Sequence, residues 1–214
     1  MPLHPITAAS FHIIDTQLGI LRRDNPDWQP IPYTPQAYEV VRRAIHSTAD
    51  FELYHLCRFS PDAITTGIHA LRQQVPVIVD VRMVKVGVQT ALDQAGIPLH
   101  CAIEAAETLT ILDPTQTRTA QGMRQQLQRY PEAMVVVGNA PTALETVVQM
   151  IHASEADPCL VIGVPVGFVG VLAAKAALAS TAVPQIRVEG YKGGSPVAAG
   201  MVNALVELSR GQQP

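Results

Sequence analysis

From Val75 to the C-terminus, short apolar runs rich in β-branched residues alternate with longer stretches whose apolar positions recur every three or four residues. "VPVIVD" (Val75 to Asp80), "LHCAIE" (Leu99 to Glu104), "AMVVVG", "CLVIG" (Cys159 to Gly163) and "QIRVEG" read as strands. The stretch holding "MRQQLQRY", the segments following "GNAP" and "GGSP", and a segment starting near Val166 read as helices. Strands alternating with helices of about 10 to 15 residues are βαβ units, which build a parallel sheet covered on both faces. The expected class is α/β, a three-layer α/β/α fold with a mostly parallel five-stranded sheet, flavodoxin-like or Rossmann-like.

Upstream the pattern changes. Six of the 17 prolines fall in the first 35 residues, so residues 1–34 read as mostly loop, with one short helix around Ser10 to Leu21. Pro35 to Leu56 reads as a helix, with proline at its start and Val40, Val41, Ala44 and Ile45 forming an apolar stripe. A second helix opens with Ser60 as N-cap and Pro61 at its first position. No linker composition interrupts residues 1–214, which are expected to form a single domain.

One stretch tests this parse. "CLVIGVPVGFVGVLAAK", Cys159 to Lys175, is apolar until its closing lysine. A membrane span needs about 20 apolar residues, and Gly163, Pro165, Gly167 and Gly170 punctuate the run. It reads better as strand, Gly/Pro turn and helix. No membrane partner is expected.

Composition narrows the field further. The chain has 48% apolar and 15% charged residues, enough to fill a large core and to share apolar surface with another subunit. Its net charge is −3 with no basic block, so it lacks the stripe that neutralises phosphates in nucleic acid. Cys57, Cys101 and Cys159 are scattered, odd in number and without a C-x-x-C pair. They read as reduced, buried thiols of a cytoplasmic protein. The N-terminal "MPLHPITAAS" has no basic and apolar signal-peptide pattern.

In open α/β sheets ligands bind beyond the carboxyl ends of the strands. Here those ends carry Asp80, "GNAPT", "GVPVG" and "GYKGGS". Gly-rich turns opening helices offer backbone N–H groups to anions, though any one of them also serves as a plain turn. No G-x-G-x-x-G follows the first strand, no Walker loop occurs, and Gly194–Ser195–Pro196 lacks the closing glycine of a nucleophile elbow. The seven histidines include no H-x-x-x-H, and the lone E-x-x-H of Glu52 and His55 falls short of a di-iron set. His55 therefore reads as a surface or packing residue, and no protein-held metal or other cofactor is expected. His46 lies one turn after Arg43 on the Pro35 helix, a titratable ring beside a carboxylate-binding cation. On spacing alone, a plain helix-surface pair remains the favoured account.

Taken together, "VRRAIH", "DVRMV", "GNAPTAL", "GVPVGFVG" and "GYKGGS", in this order, resemble the precorrin-8X methylmutase family, also called cobalt-precorrin-8 methylmutase. The likeness runs from about Ser10 to the final helix. It implies a flavodoxin-like fold, a homodimer, and migration of a methyl group from carbon 11 to carbon 12 of a corrinoid tetrapyrrole. The product would be hydrogenobyrinate, or cobyrinate when cobalt is present. The family's proton-carrying histidine falls on His46. Its substrate-binding serine and arginine fall on Ser10 and Arg43. Arg118, the loop with Gly163, Val164 and Gly167, and Lys192 are further contacts by the same resemblance. Glu145 stands where the family often has an apolar residue, and Ala173–Ala174 stand where a Glu–Ser pair is common. An intramolecular methyl shift needs no nucleophile, metal or nicotinamide. The alternatives are a corrinoid carrier without turnover and a flavodoxin-like redox module.

Overall fold

A computed structural model of the chain describes residues 4–25, 28–111 and 113–211. The ends of the expected 1–214 domain, including the first residues read for a signal peptide, lie outside them. The elements in chain order are α1 (Pro5–Asp24), α2 (Pro35–His46), α3 (Leu53–Leu56), β1 (Cys57–Phe59), α4 (Ala63–Arg72), β2 (Val77–Val79), α5 (Arg82–Ala95) and β3 (Leu99–Cys101). They continue with α6 (Ala102–Ala106), α7 (Arg118–Arg129), β4 (Met134–Val137), α8 (Pro141–His152), β5 (Leu160–Gly163), α9 (Val171–Ala179), β6 (Gln185–Val188) and α10 (Ser195–Ser209).

The strands form one sheet in the order β1-β6-β5-β4-β2-β3. The five expected strands, β2 to β6, are all parallel to one another. Their order is the flavodoxin-like one, with the direction of winding reversing between β2 and β4. The count of five is corrected to six. β1 pairs antiparallel with β6, Cys57 opposite Val188 and Phe59 opposite Ile186. Its Cys57–Arg58–Phe59 holds no apolar β-branched run and centres on an arginine, which is why the sequence hides this edge strand.

Side chains along a strand alternate between faces, and the two cores divide accordingly. Val77, Val79, Met134, Val136, Leu160 and Ile162 join α2, α4, α5 and α10 on one face. Ile78, Val135, Val137 and Val161 join α7, α8 and α9 on the other. These are the three layers the alternating pattern implied.

Several boundaries differ from the sequence reading. The N-terminal segment is mainly helix, since no proline interrupts the 20 residues of α1. The Pro35 helix stops at His46. Ser47 and Thr48 hydroxyls donate to the Ala44 carbonyl, and Ala49 turns left-handed at φ 56. Such local hydroxyl bonds compete with helical continuation. Ser60 is not a cap: its hydroxyl accepts the Gln185 N–H at 2.8 Å, tying the α4 entry to β6, and α4 begins at Ala63. β3 ends at Cys101 rather than Glu104 because the chain turns directly into α6. The helix after β5 begins at Val171 rather than near Val166, because Gly167 (φ 148) and Gly170 (φ 74) hold non-helical backbone before it. Among the described residues no helix is long and apolar enough to cross a membrane. The three thiols are free, Cys57 and Cys101 buried and Cys159 half-buried.

Candidate active site

Several backbone groups of the Gly-rich strand ends are spent internally. Asp80, at the carboxyl end of β2, is fully buried. Its carboxylate accepts the N–H groups of Gly138 at 3.1 Å, Asn139 at 2.7 Å and Ala140 at 2.8 Å. Burial pushes this carboxyl up, while those amides draw it back. The "GNAPT" loop at the winding reversal therefore already holds a carboxyl group belonging to the protein. The next two loops are joined to each other. Gly194 N–H donates to the Val164 carbonyl at 2.8 Å and Gly167 N–H to the Tyr191 carbonyl at 3.2 Å. Buried Lys175 donates to the carbonyls of Gly190 at 2.8 Å and Lys192 at 2.7 Å. The sequence suggested N–H groups open to a ligand anion; the hydrogen bonds that do form turn these amides inward.

α2 brings Arg43 and His46 to one groove of about 440 Å³ between α2, α5 and α10. His46, the last residue of α2, is exposed, and its ring meets the Phe11 ring edge-on at 5.5 Å. Partial burial, and then the charge of Arg43, hold its imidazole below the ordinary 6.5. The Arg43 guanidinium lies 4.9 Å from the Phe11 ring centre and pairs through Nη2 with Glu207 of α10. Arg42 leans on the same ring at 4.2 Å but is held by Asp15 and Glu39, away from the groove lining.

The other expected residues lie elsewhere. Ser10 is on α1 next to Phe11, yet its hydroxyl donates to the Ile6 carbonyl and it does not line the groove. Lys192 sits 2.7 Å from Asp50 and 3.0 Å from Glu52 in the turn after α2, and those carboxylates raise its pKa. Arg118 opens α7 in a separate charged cluster, 3.6 Å from Glu107. Gly163 is a packing position: a Cβ there would stand 2.4 Å from Leu178. Val164 is buried, and Gly167 serves the loop pairing just described. His55 packs edge-on against Trp28 at 4.2 Å, as a packing histidine would. Among the described residues no group of His, Cys, Asp and Glu could hold a metal ion.

Sequence reasoning missed Phe11 and Glu207. The second had a signal. Pro196, Gly200, Asn203 and Glu207 repeat at helical spacing along the otherwise apolar α10, a small and polar stripe that lines the groove.

A sequence model of the precorrin-8X methylmutase family matches residues 5–208. The chain belongs to that family. It is 48% identical to the cobalt-precorrin-8 methylmutase of Synechocystis sp., across 96% of each chain. To the precorrin-8X methylmutase of Pseudomonas aeruginosa it is 36% identical, over 76% of this chain and 80% of the other. The crystal structure of the Thermus thermophilus precorrin-8X methylmutase overlays with a TM-score of 0.84 at 35% identity, over 95% of both chains. Membership makes this chain an isomerase of cobalamin biosynthesis, and the carrier reading is not favoured.

Proposed function

We propose that the chain, acting as one methylmutase domain in a cytoplasmic homodimer, moves a methyl group from carbon 11 to carbon 12 of precorrin-8X or its cobalt-bearing counterpart. The observation that carries this reading is the pairing of an exposed, proton-exchanging ring, His46, with a carboxylate-binding cation, Arg43, at one groove. The substrate is a macrocycle edged with acetate and propionate groups. Arg43 takes one carboxylate through charge-assisted bonds. His46 delivers or removes the proton that settles the rearranged tautomer. The methyl shift is internal to the substrate, so the protein's work is to orient the ring and move that proton. The Synechocystis relative is named for the cobalt-bearing substrate, which favours that form here.

Ligand pockets typically hold about 300 to 1,000 Å³. A groove of about 440 Å³ seats one edge of such a ring, and the rest extends beyond it. Exposed Phe168 and Val169 on the β5–α9 loop, with Met83 and Val86 on α5, supply apolar surface for a second copy. Lys192, Ser10 and Arg118 are kept as contacts for the parts of the macrocycle outside the groove.

The test is turnover of metal-free and cobalt-bearing substrate, followed by absorbance, in wild type and His46→Ala. The substituted protein should bind corrinoid and lose about a hundred- to ten-thousand-fold in rate. Turnover within threefold of wild type would remove His46 from the mechanism.

A further inference from the structure

We infer that Glu207 is a positioning residue for the reaction, fixing the Arg43 guanidinium so that a substrate carboxylate docks in register with His46. This rests on the substrate-binding role proposed for Arg43.

Three contacts define where that guanidinium sits. Its backbone is held by helix packing: a Cβ at Gly200 of α10 would stand 3.1 Å from the Arg43 carbonyl and 3.3 Å from the Ser47 hydroxyl, so the last turn of α2 lies against α10 with no room to slide. Its charged face lies 4.9 Å from the Phe11 ring, which also meets His46 edge-on. Its Nη2 donates to Glu207 Oε2 across the groove. An arginine carries five N–H donors in a rigid fork. Glu207 engages the fork at Nη2, which sets its orientation and leaves other donors for a ligand.

Arg42 supplies the contrast within the same helix. It rests on the same Phe11 ring, but two carboxylates, Asp15 and Glu39, engage it, and it does not line the groove. Of two neighbouring arginines, one is locked into structure and the other is held by a single carboxylate at the groove. The second arginine of the groove, Arg210, donates to the Ala91 carbonyl and pairs with no carboxylate among the described residues, so it does not compete for Glu207. A flexible arginine would lose side-chain freedom on binding substrate; one already fixed by Glu207 and Phe11 has less to lose.

A double-mutant cycle reads this directly. Arg43→Ala, Glu207→Gln and the pair are compared for KM, kcat and corrinoid affinity. Glu207→Gln is expected to raise KM about three- to tenfold with a smaller effect on kcat, a carboxylate's charge-assisted bond having been exchanged for a neutral one. The double variant should be no worse than Arg43→Ala alone, because Glu207 acts only through Arg43. Glu207→Asp, which keeps the charge at shorter reach, should recover part of the loss. Multiplicative losses in the double variant would overturn the inference, as would an unchanged KM in Glu207→Gln. A lowered KM would overturn it too, by making Glu207 a competitor for Arg43. If Arg43→Ala itself leaves KM unchanged, the proposed role of Arg43 fails first and this inference with it.

Discussion

Lys175 carries its amine to a place only 3% exposed, against the β6–α10 loop at the carboxyl edge of the sheet. Burial pulls its pKa down from 10.5 to about 8. Below about pH 8 the amine is charged in both folded and unfolded chains, and the cost of burying that charge is constant. Between about pH 8 and pH 10 the unfolded chain binds more protons, so stability rises with pH across that window. The unfolding free energy of wild type relative to Lys175→Met should therefore grow by more than about 1.4 kcal/mol, the worth of one pKa unit, over that range. A flat difference would mean that the two carbonyls keep the ammonium at its ordinary value. His46 is shifted in the same direction, by burial and by Arg43. The pH profile of turnover should show a limb below about 6.5 that is missing in His46→Asn. A limb at or above that value would mean that the ring is solvated more fully than its contacts with Phe11 and Arg43 imply. The spacing of His46 and Arg43 showed that they share a helix face, but their proposed roles came from the family resemblance. Glu207 left a trace in the polar stripe of α10, but its pairing with Arg43 exists only once α10 packs on α2.

At the scale of elements, the strands were legible because apolar β-branched runs bounded by Gly and Pro have few other uses. β1 was not, since Cys57–Arg58–Phe59 has no β-branched run and pairs with a neighbour distant in sequence. The loops were half legible. Glycine marks a tight turn, but the same glycines serve a ligand or an internal acceptor, and only the fold decides between them. Asp80 stood out as a carboxylate at a strand end, while its three amide partners came from the loop after β4. Asp80→Asn keeps the shape but turns an amide donor toward those donors. It should cost about 1 to 3 kcal/mol and open the Gly138–Ala140 segment to proteolysis. Thermal unfolding indistinguishable from wild type would show that the loop holds its form without the carboxylate.

At the scale of the whole molecule, the three layers followed from the alternation of strand and helix, while the flavodoxin-like winding order was implied only by the family resemblance. Subunit number did not, because apolar surface for a partner and apolar surface for a macrocycle are written in the same residues. Phe168 is 85% exposed and Val169 91%, a poor arrangement for an isolated subunit in water. Light scattering at micromolar concentration should give twice 23.0 kDa. Replacing both Phe168 and Val169 with serine should shift that mass toward one subunit if the loop lies in the interface. A wild-type monomer under those conditions would leave the loop to the ligand alone.

The carboxylate of Asp80 has a further meaning for how this scaffold chooses its guests. In an open sheet of this winding, the reversal between β2 and β4 is the port through which phosphate-bearing molecules are commonly received. Here three amides of that turn are already taken by Asp80 and are not free to receive a phosphate. In the proposed reading, admission falls to side chains such as Arg43 and His46, and side chains, unlike backbone, can be exchanged one at a time. A descendant of this chain could therefore change its clientele without rebuilding its frame.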